Sequence, residues 1–497
     1  MRQFSRLLLA LLILPCLSVF AVAQNDRDPK VEELQKKIDE LESRMLTMSC
    51  EYDERLNAIS KELARLTGSD ARTAGPKFEP AVAKAAPVVA EKEEVNKTTP
   101  EPESQQKKDL GIDVGSARII PYGTVYFNAF SNSSGTNNAD IPLWASATGG
   151  GNASASLRQT RLGLKIAGGS IGGAKLSGVI EADYYGGFPA IGIGENFGVF
   201  RIRLANARFD WEKTSLTVGQ DWMVFAPQSP TSLAAAGIPQ LAAAGNNWAR
   251  LPQVKVEHRF GSNITFQGAV LAPQTGDSSS TATFLLQPNG GASSSVPFMQ
   301  ARLAFSAKNW FGSKNNGTIA LSGHYGQSRV FTGAANATKN DIDSVGVALD
   351  WNFPLSNRIG LMGEAFFGRD LGGFQGGVFQ GFNSDFASND GGVIVPGGVR
   401  AIGTYGGWLQ LSVTPPVLKD KLSFYGSAGL DDPKDADLVS VTPKDWRLRN
   451  FAFSFNTIYK ITRQFSIGAE VRSLRTNYFS SGVRWANHVN LAAAYSF

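Results

Sequence analysis

Apolar and polar residues alternate along short stretches from about residue 119 to the end of the chain. In "RLGLK", for example, Leu162 and Leu164 alternate with Arg161 and Lys165. Successive side chains of a β-strand point to opposite faces of the sheet, so this period of two predicts strands with one apolar and one polar face. About sixteen such stretches follow one another, each near the roughly nine to eleven residues with which a tilted strand crosses a bilayer.

The connections between these stretches alternate in length. Short ones such as "GGSIGG", "EKTS", "PLSN" and "ITRQ" alternate with long ones at 131–155, 224–252, 273–295, 327–343, 369–400 and 430–447. Outer-membrane barrels have tight turns at one end and long loops at the other, whereas a soluble sandwich has no reason to collect its long loops at one end. The pattern predicts an all-β transmembrane barrel of about 16 antiparallel strands over residues 119–497. A soluble β-sandwich is the alternative, because its strands also alternate.

The start of the chain has the features of a secretory signal peptide over residues 1–23. Arg2 and Arg6 supply a positive end before an apolar run, and "AVA" before Gln24 is a small-residue cleavage site. A lipid-modified Cys16 is the alternative, although Pro15 directly before it is unfavourable. The signal predicts export, and an even strand number would then place both ends of the barrel in the periplasm of an organism with a Gram-negative type of outer membrane.

Two more zones lie between the signal and the barrel. Apolar residues in residues 24–66 recur in alternating steps of three and four with one stutter, which predicts a periplasmic coiled-coil helix. A single amphipathic helix packed on a domain is the alternative. Residues 67–118 are rich in Ala, Pro, Lys and Glu, a composition that cannot bury a core and predicts an extended linker.

The composition agrees with a β-protein and narrows the possible functions. Charged residues make up only 18 % of the 497 residues, while 53 glycines and 31 phenylalanines are typical of many turns and strands. The three histidines, His258, His324 and His488, belong to no recognisable catalytic grouping, metal-ligand spacing or phosphate loop. We therefore expect no enzymatic activity and no cofactor, and the export signal argues against a nucleic-acid partner.

Charged residues on the polar faces of the strands are the candidate pore lining. Rings of Arg and Lys in a pore favour anions, and walls of low dielectric concentrate their field. Glu181 and Asp183 are expected to pair with lumen arginines, either to set up a transverse field or simply to neutralise charge. Arg208 has the parity of the outward residues and reaches the lumen only if a bulge intervenes. The predicted pore-lining residues are Arg158, Arg161, Lys165, Glu181, Asp183, Arg201, Arg203, Lys255, Arg259 and Arg472.

The connection 224–252 is long, Ala-rich and almost uncharged, with Arg250 as its only ion. Such a segment is poorly suited to solvent, so we expect it to fold into the barrel and constrict the lumen, with contact to a neighbouring subunit as the alternative. Some lumen arginines are then candidates for holding this loop in place.

Four stretches, "LRQTRLGLK", "VIEADYYG", "FRIRLANARFDW" and "LTVGQDW", resemble the DcaP-like trimeric outer-membrane porins. The resemblance implies a sixteen-stranded barrel behind a periplasmic coiled coil, a homotrimer, and passive diffusion of small anions, notably dicarboxylates. The Ala-rich loop 224–252 departs from the family. The final Phe497 on an alternating strand resembles the signal that barrel-assembly machinery recognises. The alternative function is a structural envelope protein, with a barrel plugged by its loop and a coiled-coil stalk.

Overall fold

The computed structural model describes residues 111–187, 198–274, 288–333, 338–390 and 393–497. The predicted signal peptide, coiled coil and most of the linker lie outside the described residues, so these three predictions stay predictions. Within the described residues, no helix is long and apolar enough to cross a membrane.

Most of the described chain is extended. The strands are β1 Ile112–Val114, β2 Ala117–Thr136, β3 Ala145–Ser156, β4 Arg161–Ile171, β5 Ala174–Asp183, β6 Arg201–Asp210, β7 Thr214–Trp222, β8 Arg250–Phe260, β9 Ile264–Leu271, β10 Phe298–Ala307, β11 Gly317–Thr332, β12 Thr338–Pro354, β13 Ile359–Arg369, β14 Phe382–Asp390, β15 Val393–Ala401, β16 Gly403–Val413, β17 Leu422–Pro433, β18 Arg447–Lys460, β19 Phe465–Tyr478 and β20 Gly482–Ser496. The helices α1 Gly290–Ser294 and α2 Gly376–Phe379 are single turns, as are the 3-10 turns Trp310–Gly312, Gly372–Phe374, Val417–Asp420 and Asp435–Asp437.

The sheet closes into an antiparallel barrel. Each wall strand pairs with the next wall strand, with β2 beside β4 and β13 beside β16, and β20 returns to pair with β2 from Thr124↔Ser496 to Asn132↔His488. In the described part of the chain, sixteen strands make the wall, namely β2, β4 to β13 and β16 to β20. β1 and β3 are shorter additions beside β2, and β14 and β15 form a separate hairpin in a connection. The predicted fold class is confirmed for the barrel.

Every one of the sixteen stretches predicted from alternation corresponds to one wall strand. The main difference is that some predicted loops are extended hairpins. β11 and β12 stay paired as far as Thr332↔Thr338, inside the predicted loop 327–343. Likewise β2 continues to Thr136 and pairs with β3, inside the predicted loop 131–155. Ladder hydrogen bonds satisfy the backbone of these segments, which explains why polar sequence there still forms strands.

The burial pattern of the wall is the reverse of that in a soluble protein. Large apolar side chains such as Ile202 (62 % exposed) and Phe367 (70 %) face the outside of the barrel. Their neighbours on the inner face include Asn128 and Gln410, which are fully buried. Since a soluble sheet buries its apolar face, this arrangement requires an apolar solvent around the barrel and rules out the soluble sandwich.

Residues Met223–Ala249, called the inner loop below, fold into the barrel between β7 and β8. Their apolar side chains join those of other connections and of wall strands in three buried clusters, which include Phe225 with Phe374, Ile141 with Ala242, and Leu241 with Trp408 of β16. The small side chains of this Ala-rich segment allow its backbone to lie close to the wall.

Candidate functional site

Charged side chains are concentrated on the inner face of β4, β5 and β6. The antiparallel registers place Arg161 opposite Asp183 and Asp183 opposite Arg201, so residues of one parity meet on one face. Arg203 and Glu181 lie in the next row of the same face. We call these five residues the charged cluster.

The charged cluster is held by short ion pairs. Arg203 donates from Nε to Glu181 at 2.6 Å and from Nη1 to Asp183 at 2.8 Å. Arg201 donates twice to Asp183, at 3.0 and 2.7 Å, while Arg161 Nε lies 3.9 Å from Glu181. Both carboxylates are buried. Of the two interpretations offered by the sequence, this geometry favours charge neutralisation over a separated transverse field.

A β-bulge at Arg203 brings another arginine to the inner face. Glu181 pairs with Leu204 and Ala182 with Ile202, so Arg203 is the extra residue and the parity of β6 changes after it. Arg208 therefore faces inward, where it donates to Asp210 at 2.8 Å and approaches Glu257 at 3.7 Å. The sequence analysis expected Arg208 to reach the lumen only if such a bulge intervened.

Arg158 lies in the break between β3 and β4, and it belongs to a second group. Its guanidinium donates to Asp140 and to Asn138, and it stacks 3.8 Å from the centre of the Tyr185 ring. Burial opposes ionisation of Asp140, but the hydrogen bond and charge of Arg158 outweigh it and hold the pKa of Asp140 below its ordinary value. Arg201 also lies over the Tyr185 ring, at 5.1 Å, so the two groups are adjacent.

The tip of the inner loop is bound to the charged cluster. Arg201 donates to the carbonyl of Gly237 at 2.7 Å, and Arg203 donates to that of Ala236 at 3.3 Å. Gln159 accepts from the backbone N–H groups of Ala236 and Gly237, at 2.6 and 2.9 Å, and donates to Ala234 O at 3.0 Å. Arg201 and Arg203 thus contact the loop tip through its carbonyl groups. Gln159 was missed, because the break in the strand hides its direction.

The remainder of the inner loop is anchored on the opposite wall. There the loop backbone and polar side chains bind to inner-face residues of β10 to β19: Val224 and Phe225 to Gln300, Gln228 to Glu364, Thr231 to Gln410, and Ser232 and Gln240 to Glu470. Close backbone approach is possible because glycines line this wall. A Cβ on Gly429 would clash with the carbonyl of Ala244, and one on Gly245 with Gly407.

The other predicted pore residues are dispersed. Lys165 is exposed, with its ammonium 5.0 Å from the centre of the Tyr122 ring. Lys255 pairs with Asp221 at 2.5 Å, and Arg259 donates to the backbone of the Glu212 turn at 2.7 Å. The structure therefore does not bring these residues into the charged cluster.

Arg472 lies on the inner face but is only 2 % exposed. It donates to Glu470 at 2.6 Å and to Pro142 O at 2.9 Å, beneath the connections that fold into the barrel. Its parity in the strand was readable from sequence, whereas its coverage by two loops depends on tertiary structure.

Two of the histidines are enclosed in the wall. His324 is buried against the rings of Phe298 and Phe374 and bonds to Ser344, and His488 is buried against Phe130 and bonds to Asn132. His258 accepts or donates a hydrogen bond with Thr214. Among the described residues, no group of three or more His, Cys, Asp or Glu side chains could hold a metal ion.

Several solved structures are similar to this chain to different degrees. The crystal structure of the outer membrane channel DcaP of Acinetobacter baumannii is 17 % identical, with a TM-score of 0.56 over 78 % of this chain and 99 % of that chain. An anion-selective porin from Comamonas acidovorans is 13 % identical, with a TM-score of 0.47 over 77 % of this chain and 100 % of that one. Pseudomonas putida OprB is 10 % identical, with a TM-score of 0.47 over 77 % of this chain and 94 % of that one.

Only the TM-score with DcaP exceeds 0.5, so only that likeness bears on this chain, and at 17 % identity it establishes the fold alone. The resemblance read from the sequence is confirmed at that level. No protein-family model and no curated protein sequence matches the chain.

Proposed function

We propose that the protein is a passive diffusion channel of an outer membrane, that it prefers small anions, and that the inner loop constricts it. Apolar side chains around the barrel support the membrane location, because hydrocarbon is the solvent that such a surface fits. A barrel of sixteen strands is also wide enough to enclose an aqueous channel. DcaP, which has the same fold, is described as an outer membrane channel.

The anion preference rests on one observation, the unequal exposure of bases and acids on the inner face. In the pairs Arg161–Glu181, Arg201–Asp183 and Arg208–Glu257, the arginine side chain is more exposed than the carboxylate: 19 % against 7 %, 25 % against 0 % and 28 % against 9 %. The order is reversed by a small margin for Arg203–Glu181, at 5 % against 7 %, and also where the acid lies at a strand end, in Arg208–Asp210 at 28 % against 37 % and Lys255–Asp221 at 13 % against 18 %.

The acids of the opposite wall are covered by the inner loop and its neighbours. Asp350, Glu364, Asp431 and Glu470 are each at most 2 % exposed. A solute in the lumen therefore meets guanidinium and ammonium groups more than carboxylates, and low-dielectric walls concentrate their field. Small dicarboxylates are the solute class that the sequence resemblance implies, since planar guanidinium groups bind carboxylates through both oxygens.

The proposal includes the assembly that the resemblance implies. We infer a homotrimer in the outer membrane, with the segment 24–66 as a coiled coil in the periplasm. Folding would involve the barrel-assembly machinery through Phe497, whose backbone pairs with Gly123 at the closure of the barrel.

Conductance across planar lipid bilayers tests the channel function. Steady openings whose reversal potential in a KCl gradient favours chloride are expected. The double substitution Arg201→Ala with Arg203→Ala should shift this potential toward cations. Arg329→Ala with Arg369→Ala is the matched control, since these arginines pair with Asp341 and Asp343 on the outer side of the sheet.

Two results would contradict the proposal. A reversal potential that favours potassium in the unmodified protein would exclude the anion preference. Absence of openings would instead support the plugged structural barrel, for which the three apolar clusters between the inward-folded connections and the wall are the favouring observation.

A further inference from the structure

Arg250 differs from the other arginines that surround the inner loop. It is the first residue of β8, directly after the loop, and its guanidinium carbon lies 4.8 Å from the centre of the Trp222 ring and 5.1 Å from that of Trp248. Its Nη1 is shielded from solvent and has no hydrogen-bond partner. Within the described residues, Arg250 forms no ion pair with any carboxylate, although the residue as a whole remains partly exposed.

The electrostatic surroundings do not compensate this charge. Arg203, Arg201 and Arg161 act on Arg250 as like charges, and Asp183 is the carboxylate that acts against them. Asp183 is itself shared by two arginines at 2.7 and 2.8 Å. A guanidinium in this position is attracted to an external anion more strongly than one with its own carboxylate, because nothing has to be displaced.

A second donor without a partner belongs to the same group. The indole Nε1 of Trp248 is buried and has no hydrogen-bond partner in the described structure. Buried donors are normally paired, and an unpaired one costs about 1–3 kcal/mol. An oxygen of a bound solute would provide the acceptor that both groups lack.

The segment that carries these side chains is fixed. Trp222 and Arg250 are paired across β7 and β8, and Met223 N donates to Ala249 O at 3.1 Å, which closes the base of the inner loop. Trp248 N donates to Phe374 O at 3.1 Å. A rigid base keeps the donors in place without a bound solute, which lowers the entropic cost of binding.

We propose that Arg250, with Trp248 and Trp222, forms a carboxylate-binding site at the base of the inner loop and selects planar carboxylates over chloride. The inference rests on the proposed anion channel and adds the residues of this chain that distinguish a carboxylate from a halide. A planar guanidinium fork with an adjacent indole N–H matches the two oxygens of a carboxylate, whereas a spherical halide uses only the charge.

The test compares potassium acetate with potassium chloride as the conducting salt, using the full chain in planar bilayers. The half-saturating acetate concentration should rise about tenfold in Arg250→Gln, the loss of one charge-assisted contact. Arg250→Lys should retain the preference for chloride over potassium, because the positive charge stays. It should lose most of the preference for acetate over chloride, because the planar fork is gone. Trp248→Phe should raise the half-saturating acetate concentration more than Trp222→Phe does, since of these two indole N–H groups only that of Trp248 is buried and unpaired.

Arg259→Gln is the control for net charge, because Arg259 binds to a turn backbone away from the inner loop. The variants at Arg250 and Trp248 could stay anion-selective and show the same half-saturating acetate concentration as the unmodified protein. That result would overturn this inference and leave the proposed function intact. If the unmodified protein shows no anion preference, calorimetric titration of the detergent-solubilised protein with acetate separates the two claims. Heat that disappears in Arg250→Gln supports the site without the channel, and equal heats in both proteins overturn the site as well.

Discussion

The inner loop is held between two walls of different chemistry. On one side, Arg201 and Arg203 of β6 and Gln159, just before β4, bind the loop tip through its carbonyl groups and two N–H groups. On β10 to β19, amide and carboxylate side chains such as Gln410 and Glu470 accept from the loop.

On the proposed function, this difference explains how a chain with many acids would present a basic lumen. The inner loop and its neighbouring connections cover the acids of one wall, where Glu364 and Glu470 accept from the loop, while Arg161 and Arg201 of the other wall keep part of their exposure. The position of the loop would then set the charge that a solute meets, without a large excess of basic residues. Variants that change one wall at a time test this comparison.

Asp183→Ala is expected to have the largest effect. It removes the carboxylate that Arg201 and Arg203 share in a buried position, and breaking such a pair by removing one partner costs about 3–5 kcal/mol. The temperature at which the folded barrel loses its electrophoretic mobility should fall. The reversal potential in a KCl gradient should move toward stronger anion preference, because a negative charge is gone.

Asp210→Ala is the matched control for this variant. Asp210 also accepts from an arginine, Arg208, but its side chain is 37 % exposed. An exposed pair is worth about 0–1 kcal/mol. Equal losses of heat stability in the two variants would contradict the importance given to the buried pair.

Gly429→Val should have the second largest effect, and it acts on the opposite wall. A Cβ there clashes with the carbonyl of Ala244, and the second methyl branch adds to the overlap. Overpacking of this kind costs about 1–3 kcal/mol, and the loop can relieve it by leaving the wall. We expect a higher and noisier conductance. The anion preference should become weaker, because the acids of β10 to β19 become exposed when the loop leaves this wall.

Gly426→Val is the control, because it changes the same strand at a position where a Cβ meets nothing within 4 Å. Gly426→Val should match the unmodified protein in conductance. If it behaves like Gly429→Val, the effect comes from strand propensity and not from the contact with the loop.

Gln159→Leu should have a smaller effect, limited to the loop tip. It removes three hydrogen bonds to residues 234–237 and leaves two buried backbone donors without acceptors. We expect a loss of about 2 kcal/mol in stability and frequent brief changes of current in single-channel records. Gln410→Leu, which loses its bonds with Thr231, should reduce stability similarly but leave the current steady. Steady records for Gln159→Leu would sink the proposed role.

The sequence predicted the wall strands well because alternation depends only on the local period of two. The direction of Arg161, Lys255 and Glu470 follows from that period. Arg208 shows its limit, since a single bulge at Arg203 reverses the parity of the strand beyond it.

Long-range contacts were not readable from the sequence. Glu364 and Gln228 are 136 residues apart, and nothing near either residue indicates that they meet. Arg250 was recognised as the only ion of its loop, but its lack of a carboxylate partner depends on where β7 and β8 place it.

The smallest effect should come from Asp140, which supports the charged cluster from the neighbouring group. Because Arg158 holds the pKa of Asp140 below the ordinary value of 3.8, the ionised carboxylate adds stability above about pH 4, and this contribution is lost as the pH falls through the lowered pKa. Asp140→Asn should lower the unfolding temperature at pH 7 by the equivalent of about 1 kcal/mol, because the amide oxygen can still accept from Arg158 and only the charge of the buried carboxylate is lost. The gap to the unmodified protein should close in strongly acidic buffer, where both side chains are neutral. A gap that persists there would show that shape, and not charge, joins Arg158 to Asp140.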